Sequence, residues 1–258
     1  MSCCPSSALG YLESRPDTVG KKVTSGVAEF YETGAAGPRA IVLFPDVWGW
    51  DSGRTRALAD SFAADGFRVY VPKLLDPPLE GGTDGDGLPP GFDLGARGSE
   101  FGPWITRIPW SGIEPKVEAL LEYARASGAE TFGTVGICWG GWAAFQLSAL
   151  AGGAVKAGVT FHPSCQIEGM HGGDVKELCG RVRCPFYFMP ADGDAPDLYG
   201  DDGALVEALK ARFPSTRTRL FSDMKHGWVS RGDTSDAAVK RDVELAMNEA
   251  KAYLAAAL

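Results

Sequence analysis

The sequence predicts an α/β fold in a single domain spanning residues 1–258: a mostly parallel central sheet with helices on both faces. Two observations predict it. Short apolar runs, several rich in β-branched and aromatic residues, recur along the chain, and stretches with helical spacing separate them. A parallel neighbour is reached only through a crossover, so strands alternating with helices point to a parallel sheet covered on both sides. No internal repeat interrupts the alternation, and 258 residues suit one full-sized α/β domain.

"RAIVLFP" (Arg39 to Pro45) is a short apolar run ended by proline, as a buried parallel strand would be. "SGRTRALADSFAADG" (Ser52 to Gly66) follows as a helix, with Leu58, Phe62 and Ala63 on one face and a glycine stop. "FRVYVP" is the next strand. "TFGTVGI" then leads through Cys138 into a helix of small residues. "KAGVTFHP", "PFYFMP" and "TRTRLF" are three further strands, with helices expected over "DDGALVEALKARF" and from Ser235 to Leu254. The exception is the segment from Asp76 to Trp110, rich in Gly, Pro and Asp and weak in periodicity, with Gly81 to Pro90 poorest in core-forming residues. A long insertion just after a strand end reads as a lid, because ligands of parallel sheets bind beyond the carboxyl ends of the strands. Phe92, Phe101, Trp104 and Trp110 would let it pack down.

Composition narrows the function. A net charge of −8 argues against a nucleic-acid binder, which needs a positive face. No apolar run is long enough to span a bilayer, and the N-terminus shows no basic region followed by an apolar core. A cytoplasmic setting with reduced thiols is therefore expected. The six cysteines form no C-x-x-C pair, so no metal site is predicted. Cys3 and Cys4 read as surface thiols on a loose end. The oligomeric state is left open, a monomer included.

The chemistry centres on "GICWG", Gly136 to Gly140. Its G-x-C-x-G spacing is that of a nucleophile elbow, a sharp strand-to-helix turn, with sulfur in place of the usual serine oxygen. A cysteine at a helix N-terminus faces unpaired N–H groups and the positive end of the dipole, which favour the thiolate. Such a nucleophile needs a base downstream, with an acid between them in the chain. Of His162, His171 and His226, only His226 lies beyond the acid-bearing loop "ADGDAPD", which offers Asp192, Asp194 and Asp197. The oxyanion donors would be the N–H of Trp139 and, from the loop after an early strand, that of Val47.

"GICWGGW" around Cys138, "HGWVSRGD" at His226 and "PDVWGW" after the early strand together resemble the dienelactone hydrolase family of α/β-hydrolases. The resemblance runs from about Val23 to the C-terminal helix. It implies the α/β-hydrolase fold, in which the insertion at 76–110 looks longer than simple bacterial members would need. It implies a Cys138-His226-Asp194 triad that cleaves small esters or lactones, as a carboxymethylenebutenolidase does, through a thioester intermediate and with no metal or organic cofactor. The family often carries a glutamate before the oxyanion residue; here Asp46, one methylene shorter, occupies that place.

A small-molecule ester or lactone is therefore the expected partner, without nucleic acid or membrane. Asp46, Trp48, Trp104, Trp110, Trp228 and Arg231 are assigned to substrate. A tryptophan-rich pocket favours apolar or aromatic groups. Arg231 would grip a substrate carboxylate as a bidentate fork, or else pair with Asp233 or Asp236 at the surface. His162 reads as structural, with a place in the pocket wall open to it. Two other readings stand beside the enzyme. One is a hydrolase-fold ligand receptor without catalysis. The other is a redox sensor, which would need a thiol to resolve Cys138, and Cys165 is the one the sequence offers.

Overall fold

The computed structural model describes residues 4–5, 7–12, 16–150 and 154–258. Ten strands run in chain order as β1 (Lys21–Ser25), β2 (Ala28–Thr33), β3 (Arg39–Phe44), β4 (Arg68–Pro72), β5 (Thr131–Ile137), β6 (Val155–Phe161), β7 (Phe186–Met189), β8 (Ala191–Asp192), β9 (Arg217–Thr218) and β10 (Phe221–Lys225). Eight of them form one sheet in the order β1-β2-β4-β3-β5-β6-β7-β9. From β4 onward all neighbours are parallel, while β2 runs antiparallel to both β1 and β4. The short pair β8 and β10 forms a separate two-stranded ladder.

The helices are α1 (Thr55–Ala64), α2 (Gly98–Ile105), α3 (Trp110–Ala126), α4 (Trp139–Leu150), α5 (Val175–Arg181), α6 (Pro196–Tyr199), α7 (Ala204–Lys210), α8 (Trp228–Arg231) and α9 (Ala237–Ala257). Helices α1 and α9 are neighbours, joined by Lys251 and Asp65 at 3.0 Å, while α3, α4 and α5 pack in succession elsewhere on the sheet. Helix α4 is buried on every side from Trp139 to Ser148. A helix apolar all round belongs in the core, which here fixes the turn at Cys138 from behind.

The main differences from the sequence reading lie at the edges. The hairpin β1-β2 is new: "KKVTSGVAEFYET" alternates only weakly, and the pair turns at Gly26, whose φ is +58°. "TRTRLF" is not one strand. It breaks into β9, which pairs with β7, and the start of β10, which pairs with β8. The segment 76–110 holds more order than its composition predicts, with α2 inside it and Leu88, Phe92, Phe101, Trp104, Ile105 and Ile108 buried. No helix among the described residues is long and apolar enough to cross a membrane.

Candidate active site

Cys138 stands at the junction of β5 and α4 with φ +54°, a left-handed conformation that costs a non-glycine residue energy and recurs at functional turns. The surrounding glycines make the turn sterically feasible. A Cβ on Gly140 would lie 2.3 Å from the carbonyl oxygen of Phe44, and one on Gly136 would lie 2.4 Å from that of Gly140. Main-chain bonds complete the clamp: Cys138 N–H donates to Phe161 (3.1 Å), and Ser164 N–H donates to the Cys138 carbonyl (3.0 Å). The Cys138 Sγ lies 3.7 Å from Ser164 Oγ and 3.5 Å from the Sγ of Cys4.

His226 follows β10, and its Nδ1 meets Asp194 Oδ1 at 2.5 Å, both side chains being buried. The second oxygen of Asp194 accepts from Ala191 N–H at 2.7 Å, so the carboxylate is held at both ends. Asp192 and Asp197, the other acids of this loop, are exposed. Cys4 Sγ, Cys138 Sγ and a His226 ring nitrogen lie within 4.8 Å of one another. Burial alone would depress the His226 imidazole, but a facing Cys138 thiolate and the Asp194 carboxylate raise it to about 9. His162 behaves in the opposite way. Burial and the neighbouring His226 cation push it well below 6.5, leaving it neutral. Its ring sits edge-on to His226 at 4.8 Å with φ +37°, and neither ring nitrogen hydrogen-bonds to another described residue.

Asp46 and Val47 follow Phe44 and Pro45, whose carbonyls lie against Gly140, next to Trp139 in the chain. Val47 is buried beside the elbow loop, and its carbonyl accepts from Leu88 N–H at 2.9 Å, which fastens segment 76–110 to the loop. Asp46 is wholly engaged within the protein. It accepts from Trp48 N–H (3.0 Å), Ser52 Oγ (3.2 Å), Ser230 Oγ (2.9 Å) and the Arg231 guanidinium.

Asp46 and Arg231, both assigned to substrate from the sequence, thus engage each other here. Arg231 is buried, pairs with Asp46 rather than Asp233 or Asp236, donates through Nε to the Leu9 carbonyl (3.1 Å) and lies over the Trp48 ring at 4.4 Å. A buried guanidinium needs a full set of partners, and the loop at β3 supplied one that the local sequence around Arg231 could not reveal.

The tryptophans also divide. A cavity of about 680 Å³ opens beside the site, lined by Cys4, Leu9, Tyr11, Trp48, Phe92 and Leu94 among others. Trp48 borders it, but Trp104, Trp110 and Trp228 do not. Trp104 donates to the Pro77 carbonyl (2.9 Å), Trp110 packs edge-on against Trp142, and Trp228 packs on Phe221 at 4.7 Å. They build the walls behind the site.

Two residues near the sulfur were not read as part of it: Ser164 and Cys4. Ser164 follows the end of β6, a position where functional side chains are expected, and the "FHPS" run carried that signal together with His162. Cys4 is buried, not a surface thiol, and Cys3 lies outside the described residues. Nothing in a terminal "MSCCPSS" indicates a contact 134 residues away.

The family model described as the dienelactone hydrolase family matches residues 29–258. The chain belongs to the dienelactone hydrolase family. It is a hydrolase of esters or lactones with a small-molecule substrate. It is 27% identical to the carboxymethylenebutenolidase homolog of Rattus norvegicus over 195 residues, 75% of this chain and 71% of that one. It is 26% identical to the hydrolase tropI of Talaromyces stipitatus over 255 residues, 93% of this chain and 92% of that one. Among solved structures, dienelactone hydrolase from Anabaena variabilis superposes with a TM-score of 0.56 at 16% identity, covering 90% of this chain and 96% of that one. Est1E from Butyrivibrio proteoclasticus, with ferulic acid bound, does so with a TM-score of 0.63 at 11% identity, covering 91% and 99%. At such identities these structures bear on the fold, which is that of the α/β-hydrolases.

Proposed function

We propose that Cys138, His226 and Asp194 form the catalytic triad and cleave a small ester or lactone, as the relatives' name carboxymethylenebutenolidase suggests, through a thioester on Cys138. The observation that carries this is the buried Asp194–His226 hydrogen bond beside a cysteine held at a positive-φ elbow. The Cys138 thiolate attacks the carbonyl carbon, and the resulting oxyanion is received by the N–H groups of Val47 and Trp139. Collapse expels the alkoxide, which takes the proton of the His226 imidazolium. His226 then deprotonates water, which attacks the thioester, and the thiolate leaves. Asp194 fixes the imidazole tautomer and supports its cation throughout.

Cys138 is fully buried, so a substrate reaches it only when a covering segment moves. The cavity beside Trp48 is the approach, and its mixed lining, with Trp48, Phe92 and Leu94 beside Tyr11 and Asp93, offers both apolar and polar contacts to a small ester. A panel of esters, lactones and thioesters assayed with purified protein tests the reading, with mass spectrometry of the quenched reaction. Turnover with an acyl adduct on Cys138 is expected. Turnover without any adduct in wild type, together with full activity in Cys138→Ala, would remove the thioester route. Binding without turnover would make the protein a ligand receptor.

A further inference from the structure

The N-terminal segment is a strap over the site. Leu9 N–H donates to the His226 carbonyl at 2.8 Å, and the Leu9 carbonyl accepts from Arg231. Tyr11 Oη reaches Thr83 Oγ1 at 3.3 Å, joining the strap to segment 76–110. At its start Cys4 is buried with its sulfur 3.5 Å from that of Cys138. The remaining cysteines of the described chain are placed differently. Burial pushes the thiols of Cys165, Cys179 and Cys184 up, to about 11 for Cys179 and about 12 for Cys184, which keeps them protonated and inert. Cys4 and Cys138 instead lie within electrostatic reach of the buried Arg231 guanidinium. That cation also disfavours a divalent metal held by Cys4, Cys138 and His226, since it would repel a second positive charge there.

We propose that Cys4 is the resolving thiol of Cys138, so that hydrogen peroxide converts the pair into a disulfide that locks the strap across the site. The Cys138 thiolate attacks one peroxide oxygen and the O–O bond breaks, giving Cys138 sulfenic acid and hydroxide, which takes the His226 proton to become water. Cys4 sulfur then displaces the sulfenic oxygen, which leaves with the Cys4 proton as a second water. Two electrons pass from the thiol pair to one peroxide. The sulfurs must close from 3.5 Å to a bond of about 2.05 Å. The strap carries no helix or strand over Pro5 and 7–12, whereas Cys138 is clamped by main-chain bonds, so the movement falls to Cys4. The disulfide blocks hydrolysis and spares Cys138 from irreversible oxidation until a thiol reductant reopens it.

This rests on Cys138 being the reactive thiol of the proposed hydrolase, but mass reads the cross-link independently of turnover. The full-length chain in a Cys3→Ser background leaves Cys4 as the N-terminal thiol. After hydrogen peroxide, non-reducing digestion should yield the Cys4–Cys138 disulfide. Ester hydrolysis should fall by about tenfold or more, since a blocked sulfur cannot attack, and return with dithiothreitol. With Cys4→Ser added, the cross-link should vanish, Cys138 should advance to the sulfinic acid, and reductant should no longer restore each variant's own starting activity. A cross-link to Cys165, or equal recovery with and without Cys4, overturns the proposal. So does inhibition by added zinc, reversed by chelator, when peroxide leaves no cross-link. A cross-link in a protein that hydrolyses no ester would sink the hydrolase reading and leave the lock standing.

Discussion

The turn that carries the nucleophile and the two segments that lie over it hold their positions by different means. The turn is a main-chain construction. Strand β5 is paired along its length with β3 and β6, the Cys138 amide is tied to Phe161, and Gly136 and Gly140 permit approaches that any side chain would block. The cover is tied by isolated main-chain bonds, Leu9 N–H to His226 and Leu88 N–H to Val47, together with a few buried side chains. Asp86 alone accepts from Trp50 N–H (2.8 Å) and Leu75 N–H (2.6 Å), and the pair Arg231–Asp46 joins the strap at Leu9 to the loop after β3. Main-chain clamps fix the reacting atoms whatever the surface residues do. Access to those atoms depends on a handful of buried charges, which substitution or protonation can change.

The largest effect should come from the turn. Cys138→Ala should leave the fold intact and lower hydrolysis by about four orders of magnitude or more, because the nucleophile acts as a unit with its base. Purified variant assayed beside wild type at equal concentration checks it, with thermal melting as the control for folding. Activity within about tenfold of wild type would mean that the elbow is not the reacting centre.

On the cover, Arg231→Met should strand Asp46 as a buried, unpaired carboxylate. Breaking a buried pair in this way costs about 3–5 kcal/mol, so the melting temperature should drop markedly. Hydrolysis of carboxylate-bearing and neutral lactones should decline together, because Arg231 holds the loop and not the ligand. Selective loss on the charged substrate would return Arg231 to the pocket. Asp86→Ala should follow at a smaller scale, since each orphaned backbone N–H costs about 1–3 kcal/mol while the burial of a carboxyl is relieved. Here KM should move more than kcat, because Asp86 anchors the approach and touches no reacting atom. An unchanged KM with a fallen kcat would place its role at the turn instead.

The same division explains what the sequence made legible. The strand-to-helix alternation, the G-x-C-x-G turn and the order of Cys138, Asp194 and His226 are local patterns, each written within a few residues of itself. The role of Arg231 was not legible, because its partner Asp46 lies 185 residues away and both residue types are commonplace at a surface. Cys4 was still less so, since a terminal cysteine carries no periodicity or spacing. Segment 76–110 misled in another way. Its glycines and prolines signal irregular backbone, but Asp86 and Leu88 are fully buried, and Leu88 binds Val47. With Asp86 and Leu88 buried, shortening Gly81 to Pro90 should lower thermal stability as well as alter the approach to the site.

The smallest effect is a shift in pH. His226 is raised to about 9 by the Cys138 thiolate and by Asp194 against the pull of burial, and in the proposed mechanism it must be protonated to release the alcohol. Hydrolysis should therefore fall on the alkaline side through an apparent value near 9 that belongs to the Cys138–His226 pair. The stability contribution has the same sign. An imidazole whose folded value lies above its unfolded 6.5 stabilises fully below that pH and loses the contribution as pH rises toward 9. Asp194→Asn keeps the side-chain shape and removes the charge, so the upward push weakens and the alkaline limb should move to lower pH. An asparagine can also favour the wrong imidazole tautomer, which lowers the plateau by up to about 10⁴-fold. Profiles of kcat/KM for the two proteins on one lactone, each normalised to its own maximum, separate the limb from the plateau. A limb that stays in place while the plateau drops would show that Asp194 only orients the ring, and that the thiolate alone raises His226.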